Sequence, residues 1–237
     1  MTGDAPQSQR YEFKLVCQEA AYARLRMELR LHGAGMRTLY PTRIVQSIYF
    51  DTTFGRAVQE NLAGISRRTK LRFRWYGADA EAVEGVFERK LRENTLGSKD
   101  VVPVEGRIRV EGAERRAFLR AVAAGLPAGA RARLLQGHEP AQWIRYRRDY
   151  LTTADGKVRV TLDRDLRAFD QRLRRRLSSR FPTATPRLLV IEAKCTVDAY
   201  DEARRLVSSL SIPVDRCSKF VLASDRVSGP HASIMSD

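Results

Sequence analysis

From residue 10 to residue 195 the chain repeatedly alternates apolar and charged positions with the two-residue period of a β-strand. In the run Lys70-Leu71-Arg72-Phe73-Arg74-Trp75-Tyr76, the side chains of Leu71, Phe73 and Trp75 share one face. Lys70, Arg72, Arg74 and Tyr76 share the other. Further strands are predicted at 10–16, 43–51, 85–91, 102–110, 143–151, 157–163 and 187–195. Helical spacing occurs at 18–32, 112–125 and 198–211; in the last, Tyr200, Ala203, Val207 and Leu210 lie on one face behind Asp198 as the expected N-cap. No repeat of fixed period and no long linker is visible. The pattern predicts one α+β domain over 10–225, built on a mainly antiparallel sheet, between tails at 1–9 and 226–237 that are expected to be disordered.

The polar faces of these strands are unusually rich in charge. Glu12 and Lys14 share a face with Arg10; Glu88 lies with Lys90, Tyr146 with Arg148, Arg159 with Thr161 and Asp163, and Glu192 with Lys194. With Lys70, Arg72 and Arg74, and with Arg216 and Lys219 from the C-terminal segment, cations far outnumber Glu12, Glu88 and Glu192. Such like-charge crowding is tolerable where an anion sits among the side chains. Two architectures accommodate the pattern: a one-sided sheet with its charged face in water, or a sheet closed into a barrel with a basic interior.

Composition points the same way. There are 43 Lys+Arg against 28 Asp+Glu, a formal charge of +15, which favours a polyanionic partner. No apolar run long enough to span a bilayer and no signal segment is visible, so a cytoplasmic address is expected. Cys17, Cys195 and Cys217 form no recognisable disulfide or metal spacing and are expected to be reduced and structural. His32, His138 and His231 are scattered. Trp75 and Trp143 are expected to pack on the outer face, and the run 172–180 ("RLRRRLSSR") to be a solvated, mobile basic insertion or else a guide for the polyanion at the mouth of a closed barrel. RNA binding calls for aromatics interleaved with the cations, whereas here the aromatics lie largely on the opposite strand face, so no nucleic-acid partner is expected.

Seven segments in order, "SIYFD" (47–51), "KLRFRWYG" (70–77), "VFERK" (86–90), "RYRRDYL" (145–151), "VRVTLD" (158–163), "VIEAK" (190–194) and "CSKF" (217–220), resemble the VTC domain, a branch of the CYTH-like triphosphate tunnel metalloenzymes. The resemblance implies an antiparallel eight-stranded β-barrel tunnel with a basic interior and helices packed outside. It also implies a polyphosphate polymerase that transfers the terminal phosphoryl group of ATP to a growing inorganic polyphosphate chain, aided by Mn²⁺ or Mg²⁺. Carried over by position, the triphosphate-binding residues are Lys14, Arg72, Arg74, Lys90, Tyr146, Arg148, Arg159, Arg216, Ser218 and Lys219. Lys219, Arg72 and Arg74 take the catalytic role, and Glu192 the metal; the preference of a hard divalent cation for carboxylate oxygen adds Glu12 or Glu88 as a further ligand. Such a set suits phosphoryl transfer, which is catalysed mainly by positioning and by neutralising charge on phosphate oxygens.

Departures from the family pattern matter too. Arg216 stands where the family often has lysine, and "RYEFK" keeps Glu12 of a Glu-x-Glu-x-Lys motif but has Arg10 in place of the first glutamate. Two alternatives stay open: a tripolyphosphatase or nucleoside triphosphatase of the same fold, and a non-enzymatic binder of polyphosphate or RNA. The resemblance leaves room for a membrane-protein partner encoded separately.

Overall fold

All eight strands predicted from the alternation form, and most extend beyond the predicted bounds. A computed structural model describes residues 10–93, 96–210, 212–214 and 218–224. The expected tails, 1–9 and 226–237, lie wholly outside these, as do Arg216 and Cys217. The strands are β1 (Arg10–Gln18), β2 (Arg37–Asp51), β3 (Arg67–Tyr76), β4 (Val83–Glu93), β5 (Leu96–Ile108), β6 (Glu139–Thr152), β7 (Val158–Asp170) and β8 (Leu188–Thr196). They form one sheet in the order β1-β8-β7-β6-β2-β3-β4-β5, with antiparallel pairing in β1/β8, β7/β8, β3/β4 and β4/β5. The α+β class and the eight antiparallel strands therefore hold. Among the described residues, however, the hydrogen-bonded order begins at β1 and ends at β5, with no pairing that closes it into the expected barrel. Alternation determines which side chains share a face; it carries no information on whether the first and last strands bond to one another.

The helices are α1 (Tyr22–Leu31), α2 (Arg56–Leu62), α3 (Arg115–Ala124), α4 (Ala128–Leu134), α5 (Tyr200–Ser209) and α6 (Lys219–Ser224). Three match the predicted helical segments, whereas α2, α4 and α6 span too few residues to show a period. Asp51, the last residue of β2, starts α2 by accepting bonds from the backbone N–H groups of Thr52 (2.8 Å) and Ala57 (2.9 Å). The start of α5 differs from expectation: Val197–Ala199 form a 3-10 turn, and Asp198 takes a hydrogen bond from the Thr196 side chain instead of capping the helix.

The chain divides into two compact units. Unit 1 comprises 1–45, 145–166 and 186–217; unit 2 comprises 46–144, 167–185 and 218–237. Each has its own core. In unit 2 the apolar face of β3 (Leu71, Phe73, Trp75) packs with Phe50, Phe87, Phe118 and Trp143, so both tryptophans are buried as expected. In unit 1, Leu25 and Leu29 of α1 and Ala203, Leu206 and Val207 of α5 pack with Leu15, Val158, Val160 and Ile191.

The run 172–180 is pinned, contrary to the mobile insertion expected. Leu177 is fully buried in the unit 2 core, its N–H bonds the Ala113 carbonyl (2.8 Å), and its carbonyl accepts from Gly112 N–H (2.8 Å). Gln171 braces the loop further, donating to the Phe169 and Ser178 carbonyls and accepting from Ser178 N–H. A single leucine in register with a core outweighs the local abundance of arginine, and composition cannot reveal that.

Candidate phosphate-binding site

In unit 2 the register of β3, β4 and β5 sets charged side chains in cross-strand rows. Lys70 pairs with Lys90, which pairs with Lys99; Arg72 pairs with Glu88 in the next row. Glu88 is 3 % exposed and forms the centre of a cation cluster. Arg72 Nε donates to Glu88 Oε2 (2.7 Å), Arg74 Nη1 to Oε1 (3.2 Å), and Lys99 Nζ lies 2.9 Å from Oε1. Burial alone would raise the Glu88 carboxyl, but Arg72, Arg74 and Lys99 outweigh it and hold the group down at about 2. The Lys99 ammonium is lowered from its ordinary value, because desolvation outweighs the attraction of Glu88.

The charged face continues to the C-terminal segment. Arg72 Nη1 donates to the Tyr49 hydroxyl (2.7 Å), and the Tyr49 ring stacks on Phe220 of α6 at 4.8 Å. Burial would raise the Tyr49 hydroxyl, yet the nearby charges of Arg72, Arg74 and Lys219 bring it below its usual value. Lys219 is the first residue of α6, and the residue before it, Ser218, accepts a hydrogen bond from Lys70 Nζ (2.8 Å).

Unit 1 carries the second group. Glu12 pairs across β1/β8 with Lys194, which pairs across β7/β8 with Arg159; Lys14, Glu192 and Thr161 form the adjoining row. Lys194 Nζ stands 3.2 Å from Glu12 Oε1 and 3.5 Å from Glu192 Oε2, so one ammonium lies between the two carboxylates proposed for metal. Arg148 makes a two-pronged pair with buried Asp163 (2.6 Å and 2.6 Å), reaches Glu192 at 3.6 Å, and lies over the Tyr146 ring at 5.3 Å. Burial opposes the charge on Arg148, but Asp163 and Glu192 more than restore it and push its pKa further up. The buried Thr161 hydroxyl has no hydrogen-bond partner among the described residues.

Of the residues expected from sequence, Lys14, Tyr146, Arg148, Arg159, Glu12 and Glu192 thus belong to unit 1, and Arg72, Arg74, Lys90, Ser218 and Lys219 to unit 2. Arg216 lies outside the described residues. Sequence reasoning assigned no role to Asp163, Tyr49 or Lys99. The first two were accessible to the alternation rule, since Asp163 shares a face with Arg159, and Tyr49 lies on the face opposite Ile48 and Phe50. Lys99 was hidden because β5 was expected to begin at 102, whereas it begins at Leu96.

Residues 9–227 match the sequence profile of the VTC domain. The chain belongs to the VTC domain family. Among solved structures, this VTC domain is similar to the PH1819 protein from Pyrococcus horikoshii OT3, with 12 % identity and a TM-score of 0.50 over 92 % of this chain and 99 % of that one. At that identity the likeness concerns the fold. A weaker similarity, with 11 % identity and a TM-score of 0.41 over 85 % of this chain and 92 % of the other, is to a chain of the Schizosaccharomyces pombe Mediator head module. No curated protein matches the chain. Among the described residues no helix is long and apolar enough to cross a membrane.

Proposed function

We propose that this VTC domain is a polyphosphate polymerase, moving the terminal phosphoryl group of ATP onto an inorganic polyphosphate chain. The observation that carries the reading is the pair of cation clusters on the strand faces, each centred on a buried carboxylate, Arg72/Arg74/Lys99 around Glu88 and Arg148/Lys194 around Glu192. Arginine forks suit bidentate phosphate contact, and a lysine supplies a compact charge. In this reading Arg72 and Arg74 orient phosphate oxygens, with Glu88 and Tyr49 holding Arg72 at its post. Lys219 neutralises charge that develops on the transferring group, and Lys14, Lys90, Tyr146, Arg148, Arg159, Arg216 and Ser218 bind the phosphates.

The residues present also fit a divalent cation. Glu12 and Glu192 offer carboxylate oxygens on either side of the Lys194 ammonium, which a divalent cation would displace, and the unsatisfied Thr161 hydroxyl, paired in register with Glu192, is a further oxygen. Mg²⁺ and Mn²⁺ are commonly held by one or two carboxylates together with substrate phosphates, and Glu12 and Glu192 would supply the carboxylates. When bound, such an ion supplies charge neutralisation to the phosphate oxygens.

The test is incubation of the protein with ATP, polyphosphate primer and Mn²⁺, reading ADP, free phosphate and chain length together. Lengthening chains with little free phosphate is expected; free phosphate without elongation would replace the reading by a triphosphatase. Glu192→Gln should shift the metal titration to higher Mn²⁺. Lys219→Ala should lower kcat more than KM, with Lys219→Arg restoring only part. Lys70 is no neutral comparison for Lys219, because it hydrogen-bonds Ser218. Lys157, an exposed turn residue beside Asp155, serves instead, and an equal loss in Lys157→Ala would leave Lys219 with no special role.

A further inference from the structure

The pinned loop after β7 presents the most exposed large apolar side chain among the described residues. Leu173 is 99 % exposed and Phe181 is 69 % exposed. The guanidinium of Arg174, which follows Leu173 in the chain, lies over the Phe181 ring at 5.9 Å. Arg175, Arg176 and Arg180 are exposed on the same loop. A backbone bridge from Arg176 to Glu114 joins the loop to the start of α3, where Arg116 and Arg120 are also exposed. Carboxylates of this region are engaged with their own neighbours. Asp170 holds Arg172, Glu111 holds Ser179, Glu114 caps α3 at Ala117 N–H, and Glu139 holds Arg115. What faces outward is a basic surface carrying two apolar side chains.

We propose that this loop docks the protein on an anionic lipid bilayer, with Leu173 and Phe181 entering the headgroup–acyl boundary and the arginines meeting lipid phosphates. A basic surface with protruding leucine and phenylalanine is the composition that binds such an interface, apolar burial and charge attraction acting together. A soluble polyanion would use the arginines alone and gain nothing from Leu173, and a single-stranded nucleic acid would need flat rings where leucine stands. The rigidity of the loop matters as well. Leu177 and Gln171 fix the backbone on either side of the exposed arginines, so little ordering cost falls on binding. Docking of this kind goes beyond the phosphotransfer reading and does not depend on it.

Sedimentation with vesicles of phosphatidylcholine, and of phosphatidylcholine mixed with phosphatidylglycerol, tests it. The protein should sediment with the mixed vesicles and not with pure phosphatidylcholine. Leu173→Ser with Phe181→Ser should weaken that binding about tenfold or more, with the melting temperature and phosphotransfer in solution unchanged. Arg175→Gln with Arg180→Gln should weaken it too, and added salt should weaken it further. A Leu173→Trp variant should show blue-shifted emission with mixed vesicles, over the constant background of buried Trp75 and Trp143. Three results would overturn the proposal: no binding to the mixed vesicles, unchanged binding by the Leu173/Phe181 variant, or unshifted emission from the introduced indole in vesicle-bound protein. Loss of elongation with vesicle binding intact would count against the polymerase reading alone.

Discussion

Glu88 shows how one buried carboxylate can organise several cations. Arg72, Arg74 and Lys99 are all within ion-pair distance of it, and its carboxyl is held at about 2 against an ordinary 4.5. Because the folded value lies below the unfolded one, its stabilising contribution is complete above pH 4.5 and is lost as pH falls toward about 2. Its size is on the order of 3 kcal/mol. Glu88→Gln should destabilise the protein by roughly that amount at neutral pH, since it leaves the largely buried guanidinium groups of Arg72 and Arg74 uncompensated. The variant should also show a flatter loss of stability between pH 4.5 and pH 2, measured by urea denaturation. Added tripolyphosphate should recover part of the loss. Equal urea midpoints for the two proteins at neutral pH would mean that solvent already screens the cluster.

At the scale of elements, the alternation in β3 and β4 serves the charge cluster only if the two strands keep their register, and Gly85 guards it. A Cβ at this position would lie 2.5 Å from the Phe73 ring and 2.7 Å from the Arg74 carbonyl oxygen. The ring could turn, but the backbone carbonyl belongs to the strand that carries Arg72 and Arg74 and cannot yield alone. On its other side β4 carries a register irregularity between Val83 and Gly85, in its pairing with β5. Gly85→Ala should therefore cost about 1–3 kcal/mol in denaturant midpoint and lower phosphotransfer as well, because the strand that moves holds the arginines. A variant as stable and active as the parent would show that β4 shifts freely. The short helices tell the opposite story about legibility. Asp51 supplies the start of α2 from the end of a strand, and α6 is held by Phe220 stacked on Tyr49; neither cause is written in the helix's own residues.

For the whole molecule, a formal charge of +15 and two cation clusters on strand faces predict that polyanions stabilise the fold. Tripolyphosphate at about 100 times its dissociation constant should add about 2.7 kcal/mol, raising the melting temperature by about 5–10 °C. High salt should shrink the shift, and a melting temperature indifferent to tripolyphosphate would argue that the clusters are structural ion pairs. The eight strands, the α+β class and the identity of the charged faces were determined by the sequence itself, because side-chain direction in a strand follows parity whatever the strand packs against. The sequence order of the motifs likewise sufficed for the family. Only the tertiary structure decided that the hydrogen-bonded order among the described residues runs from β1 to β5, that Glu88 lies among three cations while Glu192 meets Arg148 and Lys194, and that the basic run at 172–180 is fastened by Leu177. Each of these depends on a partner distant in the chain, and the energy of a buried charge or a buried leucine is set by that partner, not by its neighbours in sequence.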